Sequence, residues 1–394
     1  MSEKRFTVIG VSDSRKQWFS PEISSIIKNS NVFSGGKRHH EIVAHLLPAD
    51  AVWIDITVPL ENVFKEYDPF THIVIFASGD PLFFGYAVTL QRVFPDAQMD
   101  VFPTFNSLQH LAHKLRLPYS DMISLSVTGR PWKNLDVALI RNQQTIGVLT
   151  DRKKGPAEIA TRMLYYGYGN YVMSVGECLG NSFENVRTLS LKEAAEMEFR
   201  DPNCVILQRT EQKERFFGIP EKLFSHLEGR SNMITKMPVR LLSLAMLDLP
   251  GKSVMWDIGF CTGSVSIEAK LQFPELDIVA FERREESHKL IDENCRRFGT
   301  PGIVDVITDF MECDLNRYPT PDAVFIGGHG GKLEEMVRRV FHYLRPGGCV
   351  VFNSVTDESC KTFISAVENF GKSIVESHRL HLDSYNPIMI IKAI

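Results

Sequence analysis

The sequence predicts an α/β protein with two domains, and three observations lead to that prediction. The chain has 394 residues, which is too long for one ordinary domain. Short apolar runs typical of buried parallel strands, such as His72 to Ala77, alternate with segments of helical spacing. Several of these runs end in a glycine turn, as at Trp256 to Gly263, and ligands of α/β proteins bind at such strand ends. We therefore expect each half of the chain to carry its own sheet and its own ligand site.

Composition and charge are those of an ordinary globular protein. Hydrophobic residues make up 44% of the chain, and the formal net charge of −4 gives no bulk attraction to nucleic acid or to an anionic membrane. No apolar run approaches the roughly 18 residues of a membrane span, and the first apolar run begins too early to leave room for a signal peptide. The 7 cysteines are scattered without a C-x-x-C pair, which indicates neither a zinc site nor a disulfide framework. These features predict a cytoplasmic protein without a metal, membrane or nucleic-acid partner.

The stretch from Trp256 to Gly263 joins a β-prone run to a helix expected over 264–272. Its two glycines, Gly259 and Gly263, allow a tight turn and a close backbone approach that a Cβ would block. Backbone N–H groups at the start of the helix favour an anionic or polar ligand group. The next β-run ends in Glu282, where a carboxylate is placed to accept hydrogen bonds from a ribose diol. The nicotinamide pattern G-x-G-x-x-G fails here, because Cys261 and Ser264 occupy its later glycine positions.

The same stretch resembles motif I of the class I S-adenosylmethionine methyltransferases, D-x-G-x-G-x-G. Cys261 stands at the middle glycine position, where the backbone must have a negative φ or else bear strain. The resemblance implies S-adenosylmethionine as cofactor and a Rossmann-like, doubly wound sheet in the C-terminal half. It also implies cofactor contacts from the turn, from the acidic residue after it and from the end of the third strand: Asp257, Gly259, Phe260, Cys261, Thr262, Gly263, Glu282, Asp309 and Phe310.

The remainder of the C-terminal half alternates between strand and helix patterns, which predicts a parallel sheet with helices on both faces. The expected helices cover 285–298, 333–344 and 357–370, and the expected strands cover 305–310, 321–326 and 349–353, with two closing strands after them. A run of four glycines and one histidine, His329, follows the fourth strand. A lone histidine of this kind is more often structural than catalytic.

The N-terminal half also places glycines at strand ends. Gly10 closes the first β-run, and Gly79, Asp80 and Pro81 follow the buried run that ends at Ala77. The segment 35–40 combines two glycines with Lys37, Arg38 and two histidines. It either holds a phosphate or carboxylate or is a solvated turn that opens the next helix.

These N-terminal segments, together with Pro103 to Ser107 and Thr150, follow the order seen in tetrapyrrole methylases. They look most like the subfamily that acts on precorrin-6Y at C5. Members usually carry Gly-x-Gly-Pro-Gly near the N-terminus, whereas this chain keeps only Gly10. The resemblance covers roughly residues 4–210 and implies an α/β domain with cofactor contacts from Gly10, Gly79, Asp80 and Pro81.

Ahead of motif I, the segment Ile234 to Lys236 resembles the Ile-Thr-Lys segment of the C15-methylating and decarboxylating family, in which the threonine touches the cofactor. This implies a cofactor contact from Thr235. Both resemblances meet in the family of fused precorrin-6Y C5,15-methyltransferases (decarboxylating) of corrin biosynthesis. They imply a C5-methylating domain at 1–210, a linker and lead-in at 211–230, and a C15-methylating domain at 231–394 that removes CO₂ from the C12 acetate.

The implied substrate is a tetrapyrrole that carries several carboxylates, which cationic side chains would hold. The candidates for this role are Lys37, Arg38, Lys236, Arg240, Arg379 and His381. The chain lacks G-x-S-x-G, P-loop and H-E-x-x-H motifs, so no catalytic residue is identified. Methyl transfer from a sulfonium depends on positioning more than on acid–base help.

Two alternatives stay open at this point. One is a class I methyltransferase that acts on RNA or protein, with the N-terminal half as a recognition module. The other is a non-enzymatic binding protein in which Cys261 has ended catalysis. We also expect a homo-oligomer, and the sequence leaves open whether the substrate carries cobalt.

Overall fold

The computed structural model describes residues 4–14, 16–383 and 386–394. These residues form two compact units. The first consists of the described residues of Met1–Arg130, Gln144–Thr161 and Tyr171–Thr210, and the second of Pro131–Gln143, Arg162–Asn170 and Glu211–Ile394. Two short segments of the expected N-terminal domain, 131–143 and 162–170, are thus grouped with the second unit. Every helix in the described ranges is too short or too polar to span a bilayer.

The first unit begins with a parallel five-stranded sheet and its connecting helices. The strands are β1 (Arg5–Val11), β2 (Val32–Gly35), β3 (Val52–Asp55), β4 (His72–Ser78) and β5 (Gln98–Phe102), in the order β3-β2-β4-β1-β5. The helices are α1 (Pro21–Lys28), α2 (Lys37–Val43), α3 (Leu60–Tyr67), α4 (Tyr86–Val93) and α5 (Ser107–Leu115). The carboxyl ends of β1 and β4 lie side by side, because Gly10 pairs with Ala77 and Val11 with Ser78.

A second, mixed sheet completes the first unit. Its strands are β6 (Ile123–Ser126), β7 (Thr145–Leu149), β8 (Tyr171–Glu177), β9 (Asn185–Ser190) and β10 (Asn203–Arg209), in the order β6-β7-β10-β8-β9. Only β6 and β7 are parallel; the other neighbours run antiparallel. The helices along this stretch of chain are α6 (Lys133–Ile140), α7 (Pro156–Tyr165) and α8 (Leu191–Ala195).

The second unit is built on a seven-stranded sheet. Its strands are β11 (Val254–Ile258), β12 (Asp277–Glu282), β13 (Ile303–Ile307), β14 (Ala323–Ile326), β15 (Cys349–Ser354), β16 (Ile374–Leu380) and β17 (Ile388–Ala393). The helices are α9 (Met237–Met246), α10 (Ser264–Gln272), α11 (Glu286–Phe298), α12 (Leu333–Tyr343) and α13 (Asp357–Asn369). The strand order β13-β12-β11-β14-β15-β17-β16 reverses direction between β11 and β14, and ligands of doubly wound sheets bind at such a switch point.

The predicted α/β class is confirmed for both units, and the predicted doubly wound sheet is confirmed for the second. Strands β11 to β15 are parallel, while β17 runs antiparallel to β15 and to β16. The helix expected over 264–272 has those bounds. The third strand was expected over 305–310 but covers Ile303–Ile307, so Asp309 and Phe310 lie in the loop after it.

Large apolar side chains fill the core of the second unit on both faces of the sheet, as expected for parallel strands. Trp256, Phe281 and Phe352 on one face and Phe325 on the other are at most 1% exposed. The indole nitrogen of Trp256 donates to the carbonyl of Pro319 at 3.1 Å, so its one polar group is paired.

The segments 131–143 and 162–170 bring charged contacts into the second unit. The Arg162 guanidinium donates to both carboxylate oxygens of the buried Asp136, at 2.8 and 2.7 Å. The phenol of Tyr168 donates to the carbonyl of Gly299 at 2.7 Å, and Lys133 pairs with Asp277 at 2.7 Å. These contacts fasten both segments to helices and strands of the second unit's own sheet.

Candidate active sites

The turn after β11 has a backbone that only glycine fits at two positions. Gly259 has φ +79°, and a Cβ there would lie 2.7 Å from the backbone nitrogen of Gly328. Gly263 has φ +75° and caps the N-terminus of α10, and a Cβ there would lie 2.5 Å from Ile291. The predicted reason for both glycines, a tight turn with a close approach, is therefore present in the structure.

Cys261 occupies the middle of this turn with φ +50°, a left-handed conformation. Of the two expected possibilities, a negative φ or strain, the structure has the second. The thiol donates to the carbonyl of Met233 at 3.1 Å. Burial, and secondarily the Glu282 carboxylate, raises the pKa of this thiol to about 11, so the sulfur is protonated and weakly nucleophilic at neutral pH.

Glu282 lies at the end of β12 and is 4% exposed. Its Oε1 accepts from the backbone nitrogens of Arg283 and Arg284 at 2.9 and 3.2 Å, and from the Arg284 guanidinium at 3.0 Å. Its Oε2 accepts only the Cys261 backbone N–H, at 3.2 Å, among the residues that the structure describes. A carboxylate oxygen has two acceptor positions, so Oε2 retains one for a ligand hydroxyl.

A cavity of about 550 Å³ lies at the switch point of the second unit, within the size range of small-molecule sites. Eight residues with predicted cofactor or carboxylate roles line it: Thr235, Lys236, Gly259, Phe260, Cys261, Glu282, Asp309 and Phe310. The glycines after β14 and His329 line the same cavity. The His329 Nδ1 accepts from the Gly331 backbone N–H at 3.3 Å, and burial lowers the pKa of this imidazole.

Asp257, Thr262 and Gly263 belong to motif I but are buried and do not line the cavity. Asp257 is fully buried, and its Oδ2 accepts from the Ser266 backbone N–H at 3.2 Å and from the Ser266 hydroxyl at 2.6 Å. Burial raises the pKa of Asp257 to about 7, although the Ser266 hydrogen bonds act in the opposite direction. The expected direct cofactor contact from Asp257 is therefore corrected: the side chain holds the first turn of α10 in place.

Two ion pairs lie at the edge of the cavity. Lys332 lies 3.4 Å from Asp309, and a hydrogen bond from the Met311 N–H, with Lys332, holds the pKa of Asp309 below its usual range. Arg284 pairs with Glu282 as described above. Arg283 also lines the cavity, beside Gly330, whose added Cβ would lie 3.0 Å from its Nη1. Sequence reasoning missed Arg283, Arg284 and Lys332, although cations directly after a strand-end carboxylate were a signal for the first two.

Three of the expected carboxylate-binding side chains lie elsewhere in the second unit. Arg240 is fully buried, where it pairs with Glu268 at 3.2 Å and donates to the carbonyls of Thr235 and Ile219. It therefore supports the wall that carries Thr235 and is not available to a substrate, so the expectation for Arg240 is wrong. Arg379 and His381 are exposed, whereas Leu380 and Leu382 line the cavity. Neighbouring residues of an extended chain point to opposite faces, which turns Arg379 and His381 away from it.

The first unit has a smaller cavity, of about 60 Å³, at the carboxyl ends of β1 and β4. An added Cβ on Gly10 would lie 1.9 Å from the Gly79 carbonyl oxygen, and Gly79 has φ +60°. Gly79 lines the cavity, while the Asp80 Oδ1 accepts from the Leu82 N–H at 2.9 Å and Pro81 is buried behind the turn. Of the expected site residues, Gly79 thus lines the cavity, whereas Gly10, Asp80 and Pro81 lie outside its lining, with Asp80 shaping the turn.

Arg38 and His39 line this first cavity together with Asp13 and Ser78. Arg38 pairs with Asp13 at 3.3 Å and donates to the Ser78 hydroxyl at 2.8 Å. Lys37 is exposed and lies outside the lining, so its expected substrate contact does not fit the structure. The segment 35–40 opens a helix, as one of its two interpretations expected, because Gly36 is the N-cap of α2. The ligand site at this segment stays a prediction. Among the described residues, no three histidine, cysteine or acidic side chains are grouped as metal ligands.

A parallel sheet with a left-handed glycine turn at its switch point, and a carboxylate at the end of the next strand, defines the second unit as a nucleotide-cofactor-binding α/β unit. The family of precorrin methyltransferase domains matches residues 226–391 of the chain. A precorrin-6Y C(5,15)-methyltransferase [decarboxylating] of Sinorhizobium sp. is 30% identical over 380 residues, covering 94% of this chain and 89% of that protein.

Two shorter proteins of Salmonella typhimurium are also similar. A cobalt-precorrin-6B C(15)-methyltransferase (decarboxylating) is 36% identical over 162 residues, covering 41% of this chain and 83% of that protein. A cobalt-precorrin-7 C(5)-methyltransferase is 28% identical over 202 residues, covering 51% of this chain and 97% of that protein. The similarity to the Sinorhizobium protein along nearly its whole length shows that the chain belongs to the family of precorrin-6Y C5,15-methyltransferases (decarboxylating).

Proposed function

We propose that the chain is an S-adenosylmethionine-dependent enzyme of cobalamin biosynthesis that methylates a precorrin-6Y-type tetrapyrrole at C5 and C15 and decarboxylates it. The observation that carries this proposal is the alignment of a relative with that name across 94% of the chain. This membership replaces the alternative of a methyltransferase acting on RNA or protein. Relatives named for the C5 reaction alone and for the C15 reaction alone are each covered for most of their length, 97% and 83%. This supports our assignment of the C5 reaction to the first unit and of the C15 reaction to the second.

The second cavity fits the cofactor by its volume and by its polar groups. S-adenosylmethionine supplies a methyl group on a positively charged sulfur, which a substrate carbon attacks in line. We assign the ribose hydroxyls to Glu282 Oε2, the adenine to Asp309 and Phe310, and the methionine part to the turn at Gly259 and to Thr235. In this arrangement Glu282 is fixed before any ligand arrives, because four hydrogen bonds already hold its carboxylate.

We assign the remaining part of the same cavity to the substrate, and both cationic and apolar side chains line it. Lys236 and Arg283 are the cations that we assign to the carboxylates of the macrocycle. Leu380, Leu382 and Val355 form an apolar wall for the ring. Decarboxylation breaks the bond to CO₂, leaves the electron pair on the substrate and ends with uptake of one proton at that carbon. An apolar wall around the acetate side chain that loses CO₂, implied by resemblance to be that on C12, favours the neutral methyl product over the carboxylate.

In the first unit we assign the cofactor to the turn formed by Gly10, Gly79, Asp80 and Pro81. The close approach of the Gly10 and Gly79 backbones leaves room for no side chain at that point. The chain residues there position the methyl donor and the C5 carbon, and none of them forms a covalent bond. We further propose a homo-oligomer in the cytoplasm; the 7 cysteines, all free of disulfides, support a reducing compartment.

The test is mass spectrometry of the product formed by the full chain from S-adenosylmethionine and metal-free precorrin-6Y, with the cobalt-containing counterpart in parallel. We expect a gain of two methyl groups and a loss of one CO₂ from at least one of the two substrates. Cofactor binding without methyl transfer to either tetrapyrrole would contradict the proposal and favour the non-enzymatic alternative.

A further inference from the structure

In the first unit, the side chains of Arg38 and His39 both contact the hydroxyl group of Ser78, and these contacts determine how that hydroxyl can bind a ligand. The Ser78 Oγ lies 2.8 Å from the Arg38 Nη2 and 2.9 Å from the His39 Nε2. Arg38 is always a donor. The role of Ser78 therefore depends on which nitrogen of His39 carries the proton.

The backbone decides the state of His39. Its Nδ1 lies 3.2 Å from the Gly36 backbone nitrogen, whose N–H points at it, so Nδ1 must accept. The proton of the neutral ring is then on Nε2, which faces Ser78. A second proton on Nδ1 would oppose the Gly36 N–H. Burial, and secondarily the Arg38 guanidinium, lowers the pKa of His39 to about 4, in agreement with a neutral ring at physiological pH.

Both acceptor positions of the Ser78 oxygen are therefore filled by N–H donors. The Ser78 O–H is left as a donor, and no acceptor for it is found among the residues that the structure describes. Ser78 is exposed and lines the first cavity. Two N–H donors on its oxygen also polarise the hydroxyl and strengthen it as a donor.

Arg38 presents a second donor beside this hydroxyl. Its Nε lies 3.3 Å from the Asp13 Oδ1, and Asp13 is itself held by the Asn181 amide at 2.9 Å. Its Nη2 is used by Ser78, while Nη1 has no hydrogen-bond partner among the described residues. The Asp13 carboxylate thus pairs with the Nε side of the guanidinium, and Nη1 is the donor that a ligand could use.

We propose that Ser78 and Arg38 form a carboxylate-binding subsite in the first unit, with His39 as the positioning residue that makes the Ser78 hydroxyl a donor. The ligand is an anionic oxygen pair, which accepts from the Ser78 O–H and from the Arg38 Nη1. A carboxylate of the tetrapyrrole and the carboxylate of the cofactor share this chemistry. The inference rests on the proposed function for the identity of these two ligands.

The test uses the full chain with Ser78→Ala, Ser78→Thr and His39→Leu, and with Lys37→Ala as the matched loss of a cation outside the cavity. If the ligand is a tetrapyrrole carboxylate, Ser78→Ala raises the KM for C5 methylation by roughly tenfold with little change in kcat, as expected for one hydrogen bond to a charged group. Ser78→Thr retains the hydroxyl and stays within about threefold of the parent chain, and His39→Leu has an intermediate effect. Methylation at C15 and CO₂ release serve as the internal control and do not change.

Titration with S-adenosylhomocysteine tests whether the bound carboxylate is that of the cofactor instead of that of the tetrapyrrole. If the carboxylate belongs to the cofactor, Ser78→Ala weakens one of the two cofactor sites and leaves the KM for tetrapyrrole unchanged at saturating cofactor. Equal KM and equal affinity in Ser78→Ala and the parent chain would overturn the subsite. Failure of the proposed function has a different signature, the absence of C5 methylation by the parent chain. In that case, binding of the tetrapyrrole acid against its methyl ester, compared between the parent chain and Ser78→Ala, decides the proposal.

Discussion

The two cavities use glycine in different ways at the same kind of position, the carboxyl end of a parallel strand. In the second unit, Gly259 and Gly263 have φ near +75°, and the backbone itself turns into a left-handed conformation. In the first unit, Gly10 has an ordinary φ within β1, and glycine is required because the Gly79 carbonyl would lie 1.9 Å from its Cβ. A left-handed turn appears in sequence as a glycine pattern of fixed spacing. A close approach between distant segments appears only as one glycine among many.

The electrostatics of the two sites also differ. Glu282 and Asp309 bring carboxylates to the second cavity, each beside a cation. The first cavity has a guanidinium, a neutral imidazole and a hydroxyl, with one carboxylate, that of Asp13. In the second site a carboxylate, Glu282, is assigned to accept from the cofactor, whereas in the first site Ser78 and Arg38 are assigned to donate to an anionic ligand. Each prediction below separates the two units in one full-length chain, with C5 methylation reporting on the first and C15 methylation with CO₂ release on the second.

The largest expected effect comes from adding one carbon to the turn of the second unit. In Gly259→Ala the new Cβ meets backbone atoms of Gly328 at 2.7 to 3.0 Å, and neither segment has a flexible end that moves aside. We expect C15 methylation and CO₂ release to fall by more than about a hundredfold, which corresponds to roughly 2.7 kcal/mol. Methylation at C5 should stay within a few-fold of the parent chain.

The control for this change is Gly347→Ala, which places alanine at φ +78° where no atom lies within 4 Å of the new Cβ. It carries the same conformational strain without the clash. Gly10→Ala is the mirror image and should remove C5 methylation while leaving CO₂ release intact. Loss of both reactions in Gly259→Ala or in Gly10→Ala would contradict the assignment of one reaction to each unit.

A smaller effect is expected when Glu282 is changed to glutamine. The amide keeps one carbonyl oxygen and presents an NH₂ group at the other position. An NH₂ group in place of Oε2 would face the Cys261 N–H and could not accept from the ribose, and in place of Oε1 it would face the three donors from Arg283 and Arg284. We expect the affinity of the second unit for S-adenosylhomocysteine to fall by about tenfold, or roughly 1.4 kcal/mol, measured by calorimetry on the full chain. The exposed Glu285→Gln is the matched control. Unchanged affinity in Glu282→Gln would remove the ribose assignment.

The two sites should also respond to pH in opposite directions. The folded-state pKa of His39 is lowered from 6.5 to about 4, so the unfolded chain binds more protons between these values and the stability of the first unit rises with pH there. The pKa of Asp257 is raised from 3.8 to about 7, so the folded chain binds more protons in that window and the stability of the second unit falls as pH rises.

Hydrogen exchange of β4 and β11 peptides from pH 4 to 7 measures these two slopes in one sample. His39→Leu should flatten the slope for β4 and leave that for β11 unchanged. If the stabilities of β4 and β11 in the parent chain changed with pH in the same direction, titratable groups other than His39 and Asp257 would determine the pH dependence.

The smallest expected effect is that of Cys261→Gly. Glycine adopts φ +50° without strain, so we expect a stabilisation of about 1 kcal/mol or less, offset in part by the lost thiol contact with Met233. C15 methylation should stay within a few-fold. A loss beyond about a hundredfold would assign the thiol a direct role in the reaction. Because the pKa of the thiol is raised to about 11, it should also remain unmethylated during storage with the cofactor.

Local patterns were enough to predict the fold class, the bounds of α10 and eight of the residues that line the second cavity. Glycine turns, strand runs and helix starts depend on neighbouring residues, which the sequence shows directly. The wrong expectations concern side chains whose surroundings come from distant parts of the chain. Arg240 was expected at the substrate because it is a cation near Thr235, but its partner Glu268 lies on α10 and the pair is buried.

The same limit explains Asp257 and Arg379. The match to motif I identifies Asp257, but only the fold shows that its carboxylate faces Ser266 beneath the turn. Arg379 differs from Leu380 by one residue along β16, and the alternation of a strand decides which of them reaches the cavity. The roles of the residues that do line the two cavities stay predictions until a ligand is bound.

The contacts of 131–143 and 162–170 with the second unit have a consequence for how this protein is divided. A polypeptide that begins at Glu211 lacks Asp136, Arg162 and Tyr168, and with them the hydrogen bond to the carbonyl of Gly299 at the end of α11. Two polypeptides produced separately, split after Thr210, would have to reassemble before the second unit regained these contacts. Segments of the two units therefore alternate along the chain. In a single polypeptide that carries both activities, the segments 131–143 and 162–170 are always present to make these contacts in the second unit.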